Sequence, residues 1–134
     1  MWRRFGAPAL EPPSDRDVAA VVVPPRDGFA DPPAVLVRED VLAAIGPPEP
    51  VRAGALADLV ARMEKAGHAV ETRTQPVAPR PVTVATLLRE GSGRFWLFRR
   101  HPARYPLPKP GSVGPLRWVV MLLGALHANA HPPS

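Results

Sequence analysis

The sequence predicts a small α+β domain: an antiparallel sheet of three or four strands backed by one main helix, with proline-rich coil and an apolar C-terminal helix. Three observations lead there. Twenty prolines cut the 134 residues into short windows, and proline both lacks an N–H and disfavours helix at the residue before it. Residues 51–66 carry a single 3.6-residue apolar stripe. Residues 17–23, 68–74, 82–88 and 94–100 are instead β-branched, aromatic or alternating runs of strand length. No repeat is present, and the length fits one domain of roughly 100–200 residues.

Residues 1–16 lack periodicity and read as a flexible N-terminal arm ahead of an α+β domain over 17–101. The run Val18, Ala19, Ala20, Val21, Val22, Val23 is continuously apolar and stopped by Pro24 and Pro25, as expected of a buried strand. A loop rich in turn residues follows to Pro33. Ala34 to Val37 could form a short strand, followed by a short helix that Gly46 and Pro47 end. In the window 51–66, Leu56, Leu59, Val60 and Met63 fall at i, i+3, i+4 and i+7, and Gly67 supplies the stop. His68 to Thr74 then alternates as a strand.

Residues 82–88 and 94–100 read as two strands of a hairpin turning at Glu90, Gly91, Ser92 and Gly93. Residues 102–115 are a proline-rich extended linker, polyproline-like between Tyr105 and Pro110. Residues 116–131 form an apolar terminal helix whose stripe is Leu116, Val119, Val120, Leu123 and Leu126. That helix is expected to dock on the domain or on a partner.

Composition excludes several chemistries. With no cysteine there is no disulfide, thiolate nucleophile or thiolate metal site. His127 and His131 stand at i, i+4, a spacing that can hold zinc on a helix, but no acid lies near them in the chain and Pro132 frays the end. The glycines at 91 and 93 are accounted for as a hairpin turn, and no helix is expected to follow them as a phosphate loop requires. No nucleophile–base–orienter set is recognisable. The expectation is therefore a non-enzyme without metal or cofactor. The apolar run 118–126 is far shorter than the roughly 20 residues of a membrane span. Prolines interrupt the N-terminal segment before any signal-peptide core, which favours the cytoplasm.

Charge is the strongest functional signal. From Arg89 to Arg117 there are seven basic residues against one acid, Glu90, so that segment is +6 while the rest of the +5 chain comes to −1. A uniform compositional bias towards Arg, of which there are 15 against 2 Lys, would not also remove every acid after Glu90. Phe95, Trp96, Phe98 and Tyr105 are interleaved with those cations. On a sheet, Arg94, Trp96, Phe98 and Arg100 would line one face, a platform on which bases stack while guanidinium groups meet phosphates. The candidate binding residues are Arg89, Arg94, Trp96, Phe98, Arg99, Arg100, Arg104, Tyr105 and Lys109. The expected function is a non-catalytic binding or structural subunit that contacts a polyanion, nucleic acid first and without sequence specificity, or an acidic protein surface within a larger assembly. The alternatives are a membrane-peripheral or assembly accessory protein docking through 116–130, and a small enzyme whose site is assembled only by folding.

Overall fold

The computed structural model describes residues 1–49, 53–106 and 114–130, with side chains as far as His127 in the last stretch. The fold is α+β, with a four-stranded mixed sheet and four helices. It forms two compact units, Met1–Pro50 with Ala55–Pro79 and Val51–Gly54 with Arg80–Ser134.

The first unit holds strands β1 (Trp2–Gly6), β2 (Val18–Val22), β3 (Ala34–Arg38) and β4 (Ala69–Thr72), with helices α1 (Glu39–Ile45) and α2 (Ala55–Lys65). The sheet order is β1-β3-β2-β4. β3 pairs antiparallel with both β1 and β2, and β2 pairs parallel with β4. The parallel pair makes the sheet mixed rather than wholly antiparallel. It arises because α1 and α2 lie in the connection, and parallel neighbours need a crossover. Ala20, Val22, Val35 and Val37 form one core with Val41 and Leu42 of α1 and Leu59, Val60 and Met63 of α2. The pleat sends Val21 and Leu36 to the opposite face, and they are buried too. Coverage on both faces explains why β2 is a continuous apolar run rather than an alternating one.

The expected flexible arm is corrected at both ends. Residues Trp2 to Gly6 pair with Arg38 to Ala34 as an edge strand, and the Glu39 N–H donates to the Met1 carbonyl at 3.0 Å. Further on, Arg73 donates to the Glu11 carbonyl at 2.7 Å and Gln75 to the Ala9 carbonyl at 3.2 Å. The sequence signal is faint because Arg3 and Arg4 are exposed and only Trp2 and Phe5 are half-buried.

α2 begins at Ala55, after residues 50–52 that lie outside the described ones. The Asp31 carboxylate accepts from the Ala57 N–H at 3.0 Å, serving one of the donors that the first helical turn leaves without an intrahelical partner. At the other end Gly67 takes φ +89, its N–H donating to the Glu64 carbonyl and that of His68 to the Met63 carbonyl, which is a Schellman stop. Arg62 joins α2 to α1. Its Nε donates to the buried Asp58 carboxylate at 3.0 Å, and its terminal nitrogens donate to the carbonyls of Ile45, Gly46 and Pro47 at 2.6, 3.1 and 3.0 Å. Those are carbonyls at and just beyond the C-terminus of α1. On the surface, the Arg38 guanidinium beside Asp40 holds that carboxyl below its ordinary value.

The second unit overturns the predicted hairpin. Residues Val84–Arg100 are one continuous helix, α3, and α4 runs Pro115–Ala130. The β-branched start that suggests a strand is a cap. The Thr83 hydroxyl accepts from the Thr86 N–H at 3.1 Å, and the Thr86 hydroxyl accepts from the Thr83 N–H at 2.8 Å. The Gly91 to Gly93 segment that suggests a turn lies inside the helix, where its glycines admit other backbones. A Cβ on Gly91 would strike the carbonyl of Met121, one on Gly124 that of Leu88, and one on Gly93 the carbonyl of Ala53 at 2.5 Å. The pairing of 91 with 121 and of 88 with 124 makes α3 and α4 antiparallel neighbours. The linker expected over 102–115 falls from 107 to 113 outside the described residues.

Candidate docking surface on the helical pair

Once Val84–Arg100 is a helix, the sheet platform disappears. Each helical residue advances about 100° rather than 180°, so Arg94, Trp96, Phe98 and Arg100 no longer share a face. Residues at i, i+7 and i+11 do, and the stripe Arg89, Trp96, Arg100 replaces the predicted row. Arg89 and Arg100 are exposed and Trp96 is half-buried. The Arg100 guanidinium lies 5.0 Å from the Trp96 ring centre, and Arg99 lies 5.9 Å from that of Phe95. Both are i, i+4 cation–π contacts.

Arg94 belongs to the interior side. Its Nε donates to the Glu90 carboxylate at 2.9 Å, and Glu90 is only 5% exposed. Phe98 is half-buried, while Leu97, which sequence reasoning did not single out, is fully buried against Gly54. Beyond the helix, His101 meets Tyr105 edge-on at 6.4 Å, and Arg104 lies 5.6 Å from the Tyr105 ring centre. Lys109 and His131 lie outside the described residues.

The α4 stripe does not turn towards α3. Met121 and Gly124 face α3 and are buried, so of the two dockings expected of the leucines, on the domain or on a partner, α3 does not provide the first. Leu116, Val119, Leu122, Leu123 and Leu126 are left 76%, 46%, 40%, 54% and 56% exposed. Val82, Val84 and Leu88 are exposed on the α3 side. Among the described residues, Met1 alone is a large exposed apolar residue outside this unit.

Charge divides the same way. Residues 80–134 hold eight basic residues and one acid, whereas residues 1–79 hold nine and eleven. The single acid of the helical segment is Glu90, withdrawn from solvent into its pair with Arg94. The antiparallel arrangement brings the C-terminus of α3 to the N-terminus of α4, which gathers Arg99, Arg100, Arg104 and Arg117 at one end.

Among the described residues there is no group of three or more His, Asp or Glu that could hold a metal, and no helix long and apolar enough to cross a membrane. Comparison with family models, with curated proteins and with solved structures finds no match.

Proposed function

We propose that the chain is a non-catalytic docking subunit whose helical pair meets an anionic surface. The observation that carries this reading is the withdrawal of Glu90. After it no acid remains in the sequence, so the face that α3 and α4 offer to solvent is cationic and apolar, with no exposed carboxylate. Guanidinium groups attract any dense array of anions and need no particular register. A stacking platform for bases loses its support once Trp96 and Phe98 fall on different sides of a helix.

The test is retention of the full chain on a polyanionic heparin matrix, with Arg99→Ala plus Arg100→Ala compared against Arg3→Ala plus Arg4→Ala. The α3 pair should elute at distinctly lower salt than the β1 pair. Equal shifts would reduce the effect to bulk charge and remove the case for a localised surface.

A further inference from the structure

Building on the anionic-surface reading, we propose that the surface is an anionic lipid bilayer and that α4 lies along its interface, with Leu116, Val119, Leu122, Leu123 and Leu126 in the acyl boundary. These five residues fall within an arc of about 120° on an α-helix. From Leu116 to Leu126 they extend about 15 Å along the axis, half the depth of a hydrocarbon core. An apolar face of that length matches a helix lying in the interface. His127 follows the stripe directly, and Trp118 stands in its first turn, an amphipathic ring of the kind that favours the headgroup level.

Charge selects the occupant. A second copy on this face would bring two like-charged segments together, each with eight basic residues against the single, withdrawn acid Glu90. A nucleic acid backbone would satisfy the arginines and leave the leucines in water. A bilayer containing anionic lipid satisfies both, since apolar burial and attraction to headgroups add. The orientation is fixed beforehand. Close approach of Gly124 to Leu88 and of Gly91 to Met121 holds the opposite face of α4 against α3.

The experiment is flotation of the full chain with phosphatidylcholine vesicles containing about 30% phosphatidylserine, loaded at low salt and then washed at about 1 M salt. Pure phosphatidylcholine vesicles and the heparin matrix are run beside it. The native chain should float with the anionic vesicles, and much of it should stay after the wash. Leu123→Ser plus Leu126→Ser removes exposed apolar surface, so its melting temperature should hold while vesicle affinity falls roughly 30-fold, on a CH₂-burial scale. Complete release by salt, with the serine variant binding as the native chain does, would overturn insertion and leave the anionic-surface reading standing. Binding to neither vesicles nor heparin would overturn both. A native dimer in gel filtration that the serine variant dissolves would make a second copy the occupant and overturn the lipid proposal.

Discussion

Replacing Gly124 by alanine sets two effects of opposite sign against each other. In an exposed helix interior, glycine to alanine gains about 1 kcal/mol of helix propensity. At Gly124, however, the new Cβ would stand 2.9 Å from the Leu88 carbonyl carbon and 3.0 Å from its Cα, and it would meet the carbonyl oxygen closer still. Ordinary carbon–carbon contacts are about 3.5–4.0 Å. The obstacle is backbone, which has no rotamer to change, so α3 and α4 must part by roughly 1 Å at that crossing. A gap of that size forfeits up to about half of each dispersion contact it opens, and overpacking costs about 1–3 kcal/mol. The net expectation is a loss of about 1–2 kcal/mol once the propensity gain is subtracted. Gly91→Ala, 2.6 Å from the Met121 carbonyl carbon, should behave likewise. The double variant should fall short of the sum, because one separation relieves both clashes. Chemical denaturation of the full chain followed by tryptophan fluorescence reads the change. A Gly124→Ala chain more stable than the native one would mean that the helices do not approach as described.

Two further predictions concern the supports of the helices. Arg62→Met should cost about 3 kcal/mol, since it strips a nearly fully buried carboxylate and three carbonyls of their shared donor, with some discount because Arg62 itself is 21% exposed. Arg62→Lys should recover little in the same denaturation assay, because one ammonium cannot span four acceptors as the guanidinium fork does. Thr83→Ala removes the reciprocal cap of α3 and should lower stability by about 1 kcal/mol, with Thr83→Ser restoring most of it; an unchanged midpoint would mean that the cap carries no weight.

What the sequence disclosed follows from where the deciding contacts lie. α2 was legible because its stripe of Leu56, Leu59, Val60 and Met63 and its stop at Gly67 are local and agree. β2 was legible because a strand covered on both faces is apolar throughout. β1 was not, since Trp2 and Phe5 gain their meaning only from pairing with β3, some 30 residues on. α3 is obscured for the same reason. Val82, Thr83, Val84 and Thr86 have strand-like composition, and Gly91 with Gly93 resemble a turn until α4 and Ala53 are known to press on them. Two local signals did favour the helix, the Thr83 and Thr86 cap and the Glu90 and Arg94 pair at i, i+4. In the candidate surface, the charge asymmetry was visible in full. The geometry was not, because exchanging a 180° period for a 100° one reassigns every neighbour of Trp96.

The guanidinium of Arg62 has a consequence for how the first unit opens. α1 has seven residues, too few to persist alone, and its basic last turn is empty. The carbonyls at its end are held by a side chain rooted three residues before the C-terminus of α2. Unravelling α2 as far as that root therefore releases the end of α1 in the same event. The two helices become one cooperative element in native-state amide exchange, with α1 amides borrowing a protection that a helix of their length does not possess.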